Sequence, residues 1–71
     1  MKQFNLEEAK SGKPVCTRDG RAVKLIYFDA EGIYPIVGLI KYKEYEDAQM
    51  FRKNGRLFGD SSDDENDLFM V

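Results

Sequence analysis

Two short stretches of this chain, Arg18-Asp19-Gly20-Arg21 and Lys53-Asn54-Gly55-Arg56, constrain its fold more than any other feature. Asp-Gly and Asn-Gly readily supply the positive φ angles of a two-residue type I′ turn, and such a turn fixes the register of the strands it joins. Two of them within 71 residues predict a small antiparallel β protein. A chain of this length makes one domain and buries roughly 60% of its unfolded surface. Little room is left for an enclosed reaction cavity.

With Asp19-Gly20 as the turn, Thr17 faces Ala22, Cys16 faces Val23 and Val15 faces Lys24. One sheet face then carries Pro14, Cys16, Val23, Leu25 and Tyr27, almost wholly apolar and therefore the expected core face. The other carries Val15, Thr17, Ala22, Lys24, Ile26 and Phe28. Cys16 reads as a small buried hydrophobe, because the chain has no His to activate a thiol.

Ahead of this hairpin, Asn5 can cap a short helix whose first turn holds Glu7 and Glu8, and Gly12 and Pro14 end it. Beyond it, Asp29-Ala30-Glu31-Gly32 reads as a turn. Ile36-Val37-Gly38-Leu39-Ile40 is apolar on both faces, as a central strand is, and Gly38 marks a bulge, a bend or a close approach. Residues 44–53 carry Glu44, Glu46 and Asp47 before Arg52 and Lys53, a charge order that suits a helix. A strand is preferred there, because a helix starting at Glu44 lacks a capping residue and the Asn54-Gly55 turn would set Phe51 against Phe58.

The net charge of −2 hides an asymmetry: residues 1–58 total +3 and residues 59–71 total −5. Asp60-Ser61-Ser62-Asp63-Asp64-Glu65-Asn66 has too little apolar surface to offset its ordering entropy and is expected to be flexible. It leads into Asp67-Leu68-Phe69-Met70-Val71, an apolar tip on an acidic stalk. The expected organisation is a β domain over residues 1–59 and an acidic tail over residues 60–71.

No His and one Cys leave a structural zinc site without its ligands and an intramolecular disulfide without a partner. There is no Gly-rich phosphate loop and no nucleophile–base pair, so no catalytic, cofactor or metal residue is assigned and the chain is not expected to be an enzyme. With neither a leader-like apolar start nor a run of membrane-spanning length, the expected location is the cytoplasm.

Phe4-Asn5-Leu6-Glu7-Glu8-Ala9-Lys10, Lys13-Pro14-Val15-Cys16-Thr17-Arg18-Asp19-Gly20-Arg21, Tyr34-Pro35-Ile36-Val37 and Asp67-Leu68-Phe69-Met70 resemble a family of small proteins from gut bacterial genomes and their phages. The resemblance covers most of residues 4–40 and the tip. It implies a phage or mobile-element origin and carries no activity. Whether residues 67–71 fold back as a strand or hang free stays open.

Two surfaces stand out for function. Asp67, Leu68, Phe69 and Met70 form an apolar anchor on an acidic stalk, similar to the partner-docking tails of single-stranded DNA-binding proteins. Asp67-Leu68-Phe69 also resembles the end of the motif by which replication proteins hold the sliding clamp, without its Gln and first Leu. The bland alternative is that Leu68 and Phe69 cover the domain's own sheet edge. The second surface is basic: Arg18, Arg21, Lys24, Arg52, Lys53 and Arg56, with like charges flanking both turns and Tyr27, Tyr42 and Tyr45 able to stack on bases.

These readings together predict a mainly β fold of about five antiparallel strands, curled into an SH3-like barrel or meander, with a short N-terminal helix. The expected function is a non-catalytic protein-interaction module. The alternative is a nucleic-acid-binding accessory protein, and pairing with another copy through a strand edge is open to either.

Overall fold

In the computed structural model, which describes residues 1–59 and 62–71, six strands form one antiparallel sheet. In chain order the elements are β1 (Lys2–Gln3), α1 (Leu6–Lys10), β2 (Val15–Thr17), β3 (Ala22–Tyr27), β4 (Ile36–Lys41), β5 (Glu46–Phe51) and β6 (Leu68–Met70). Their order across the sheet is β1-β6-β2-β3-β4-β5. β1 and β5 are therefore free edges, and the sheet is open rather than closed into the expected SH3-like barrel. Residues 46–51 form a strand, with Ile36 opposite Phe51 and Lys41 opposite Glu46.

The helix forms where Asn5 places it. Its side chain accepts a hydrogen bond from the Glu8 N–H at 3.1 Å, meeting one of the unpaired donors of the first turn. A five-residue helix is too short to stand alone, and it survives by burying Ala9, with Phe4 and Leu6 packed on the core.

Both turns exist, and neither is type I′. Among the described residues every non-glycine has negative φ, whereas Gly20 (φ 89°) and Gly55 (φ 84°) are left-handed. Each turn is a three-residue loop closed by the same two bonds. The Thr17 N–H donates to the Arg21 carbonyl and the Gly20 N–H to the Thr17 carbonyl, and Arg52, Arg56 and Gly55 repeat the pattern. This is a type I turn followed by a glycine bulge.

One extra loop residue shifts the first hairpin by one position, so Val15 faces Val23 and Cys16 faces Ala22. A one-residue slip exchanges sheet faces. Val15 and Thr17 therefore join Val23 and Leu25 on the covered face, and Cys16 moves to the other. A bulge between Leu25 and Tyr27 turns Tyr27 outward as well, and it is exposed rather than in the core. Gly38 lies opposite Leu25, where a Cβ would come within 2.9 Å of the Leu25 Cδ2, so the close approach expected at this glycine is real.

The second hairpin has no second strand. After Arg56 the chain leaves the sheet plane, and the Leu57 N–H bonds to Asp67 instead of to a neighbouring strand. The expected Phe51–Phe58 strand pair is absent: Phe51 is fully buried and Phe58 is exposed.

The larger correction concerns the C-terminus. Leu68–Met70 form β6, which lies between β1 and β2 with Val15 opposite Met70, Cys16 opposite Phe69 and Lys2 opposite Met70. Of the two alternatives left open by the sequence, residues 67–71 fold back as a strand. That strand is interior to the sheet and supplies Leu68 and Met70 to the core. The expected mobility of Asp60 and Ser61 lies outside the described residues.

The core sits on one sheet face, where Val15, Val23, Ile36, Ile40, Phe51, Leu68 and Met70 pack with Ala9 of the helix. The opposite face carries half-buried Val37 and Leu39 with exposed Tyr27, Ala48 and Met50, and no element covers it among the described residues.

Candidate functional site

The residues singled out in the sequence fall into one cluster, held together by a buried carboxylate. Asp67 is 1% exposed. Its Oδ1 accepts the Leu57 N–H at 3.0 Å, and its Oδ2 accepts the Asp64 N–H at 3.0 Å and Arg18 Nη2 at 3.2 Å. Desolvation by burial works to raise the pKa of this carboxyl. The two backbone donors, then Arg18 and the nearby Arg56 charge, outweigh it and hold the group below the usual carboxylate range.

Around it, the acidic segment ties the two turns together. Nη2 of Arg18 and Nη2 of Arg56 both reach Oδ1 of Asp63, at 3.1 and 3.0 Å. Arg18 Nε also donates to the Asp64 carbonyl at 3.2 Å and Arg56 Nη2 to the Ser62 carbonyl at 2.7 Å. The like charges beside the two glycine turns thus have an internal cause: they are the two sides of a clamp that closes on residues 62–67. Beside the clamp lies a cleft of about 360 Å³ lined by Phe4, Arg18, Asn54, Arg56, Asp63 and Phe69, among others.

The structure separates the basic residues grouped by the sequence. Arg18 and Arg56 are in the clamp. Arg21 pairs with Asp19 at 3.2 Å and lies over the Tyr42 ring at 4.6 Å. Asp19 accepts a hydrogen bond from the Thr17 hydroxyl and, helped by Arg21, sits below its ordinary pKa. Lys24 is exposed on the uncovered face and Lys53 is exposed in the second turn. Arg52 stacks on Tyr34 at 5.3 Å, and its buried Nε has no hydrogen-bond partner among the described residues. These six residues form no continuous basic surface.

The proposed anchor residues are likewise engaged within the domain. Asp67, Leu68 and Met70 are buried, and half-buried Phe69 lies 4.8 Å beneath the Arg18 guanidinium. A side chain already packed in its own sheet is not offered to a partner. Cys16 is buried on the far side of β2 with its Sγ 3.4 Å from the Met1 sulfur, and desolvation raises its thiol pKa.

A second site went unread in the sequence. Along the free edge of β5 runs an open groove of about 570 Å³, lined by Tyr34, Ala48, Gln49, Met50, Leu57 and Phe58. Met50 and Phe58 remain 42% and 47% exposed, so the groove has an apolar floor and rim open to water. Strand alternation leaves every second residue of β5 facing outward. The Tyr42 N–H donates to the Tyr45 carbonyl, so Tyr45, Asp47, Gln49 and Phe51 face β4, and Glu46, Ala48 and Met50 face the edge. The available signal was Met50 and Phe58 themselves, apolar residues flanking a turn whose second strand is missing.

Among the described residues there is no group of three or more His, Cys, Asp or Glu placed to hold a metal ion, and no helix is long and apolar enough to cross a membrane.

These features define a class: a small open antiparallel sheet with one short helix, whose C-terminal strand is inserted between the first two strands. Within that class, the chain belongs to the family of Haemophilus phage HP1 protein YO09, whose family model matches residues 1–69. The phage association implied by the sequence resemblance is thereby shown. No curated protein and no solved structure matches the chain.

Proposed function

We propose that this phage-family protein is a non-catalytic interaction module that binds an extended polypeptide segment at the edge of β5. The observation that carries this reading is the groove beside Ala48–Met50. Backbone groups of Glu46, Ala48 and Met50 face outward along an apolar depression, with the Met50 carbonyl met only by the exposed Gln49 amide, and strand addition uses those two features for affinity and for specificity. An apolar patch left open on a small domain is a common mark of such contacts. The nucleic-acid alternative loses its footing in the clamp, because an incoming phosphate would have to displace Asp63 and Asp67 from Arg18 and Arg56.

The test is to pan a random peptide library on the protein and on Ala48→Pro, then map bound peptides by ¹⁵N chemical shifts. Binders that shift residues 46–50, 57 and 58, and that are lost with Ala48→Pro, are the expected result. An oligonucleotide that shifts Arg18 and Arg56 at low salt, with no peptide binding at β5, overturns it.

A further inference from the structure

We propose that the segment held at the β5 groove presents a carboxylate, from an aspartate or glutamate beside an apolar residue, to the guanidinium of Arg52. The inference rests on the reading of that groove as a peptide-receiving site and names the chemistry of its occupant.

The contrast among the arginines carries the argument. Arg18 and Arg56 close on Asp63, and Arg21 pairs with Asp19. Arg52 alone makes no ion pair with a described residue, and its buried Nε has no acceptor among them. A guanidinium drawn partly out of water and left unmatched is costly to the fold. Charge-assisted hydrogen bonds from its terminal Nη1 and Nη2 to a carboxylate offset that cost.

The guanidinium is also held in place. It lies over the Tyr34 ring at 5.3 Å. Gly59 packs against it so closely that a Cβ there would sit 2.9 Å from Cζ and Nη2 and 3.2 Å from Nη1. Glycine at position 59 is what leaves room for the group. A planar cation stacked on a ring and hemmed in by backbone has little rotamer freedom left to lose when an anion binds.

Position ties this cation to the groove. Ala48, Met50 and Arg52 follow one another at alternate positions, and Tyr34, on which Arg52 stacks, lines the groove with Ala48, Met50 and Phe58. Arg52 also lines a cleft of about 410 Å³ with Ile33, Pro35, Lys53 and Asn54, and that cleft has no acidic side chain in its wall. Exposed Lys53 makes no ion pair among the described residues and adds to the positive charge there. A segment that rests an apolar side chain on Met50 and Phe58 thus brings a neighbouring acid to Arg52. The other end of the strand argues against a phosphate chain. Glu46 and Asp47 begin β5 and Glu44 precedes them, so a ligand charged at every step meets like charge, whereas a single carboxylate at the Arg52 end does not.

The test selects a random linear peptide library on the full chain and measures the selected peptides by fluorescence anisotropy. These should share an Asp or Glu beside an apolar residue, and changing that acid to its amide should weaken binding about tenfold or more. Arg52→Gln should weaken the acidic peptide and leave its amide version unaffected. The Arg52 Nε–Hε resonance should shift with the acidic peptide and not with the amide one, which decides the matter even if Arg52→Gln fails to fold. Peptides that bind at Ala48–Met50 with no acid preference overturn the role of Arg52 and leave the groove standing, whereas no binder at all overturns both. An Nε resonance that moves on Asp60→Asn in the free protein and ignores acidic peptides assigns the cation to the chain's own Asp60, which overturns the proposal. So does an oligonucleotide that moves this resonance where acidic peptides do not.

Discussion

A carboxylate taken out of water keeps its charge only when its oxygens are matched, and Asp67 is matched by two backbone N–H groups and Arg18. An asparagine there sets an amide NH2 against one of the two backbone N–H donors at a buried position and gives up the charge that Arg18 meets, although Arg18 keeps Asp63 and the Asp64 carbonyl. Asp67→Asn is therefore expected to cost about 3 kcal/mol, a large share of the roughly 4–10 kcal/mol available to a domain of this size. The pH dependence follows from the same contacts. The folded pKa of Asp67 is lowered, so its contribution is fully present above the unfolded value of about 3.9 and is lost as pH falls through the folded one. Asp19 acts with the same sign. Urea melts at pH 7 and at about pH 3 should show the gap between wild type and Asp67→Asn narrowing in acid. The two turn glycines make a second comparison. Both have positive φ, and alanine at Gly20 meets open space, so Gly20→Ala should cost about 1–2 kcal/mol for the left-handed backbone alone. At Gly55 a Cβ would lie 2.8 Å from Cγ of Phe4 and 3.1 Å from Cβ of Leu68, so Gly55→Ala should cost clearly more. Equal losses in thermal melts would argue against the tight packing of the second turn.

At the scale of elements, the glycine turns were legible and their length was not. Asp-Gly and Asn-Gly suit a two-residue type I′ loop, and they equally suit the last two positions of a three-residue loop ending in a left-handed glycine. Side chains support the wider loop at both turns: the Thr17 hydroxyl accepts the Arg21 N–H at 2.9 Å and donates to Asp19 in the first, and Asn54 Oδ1 accepts the Arg56 N–H at 3.0 Å in the second. The helix needed no such arbitration, because Asn5 has one role available and fills it. Thr17→Val keeps the shape and removes the hydroxyl, leaving the Arg21 N–H unmatched. A loss of about 1–2 kcal/mol is expected, together with amide shift changes confined to residues 17–21 in a ¹⁵N spectrum. Broad changes through β3 would mean that the hydroxyl sets the register rather than merely supporting the loop.

For the whole molecule, the acidic segment was read by composition, and composition hid its geometry. Five acids without a base look like a solvated tail when counted in isolation. Placed between Arg18 and Arg56, Asp63 and Asp67 become the link that returns the chain to its first strands. No local pattern announces this, because Leu68-Phe69-Met70 is too short to show alternation and its neighbours β1 and β2 lie more than fifty residues away in sequence. The consequence separates a tail from a strand. Ending the chain after Asn66 would leave β1 without its sheet neighbour, strip β2 of one of its two partners, remove Leu68 and Met70 from the core, and leave Arg18 without Asp67. Those losses fall on the covered face and the clamp together, so they exceed the stability of so small a domain. The truncated chain should show no cooperative thermal transition and a collapsed amide spectrum. A dispensable tail would give the wild-type spectrum minus its last peaks, and that outcome would remove β6 from the account of the fold.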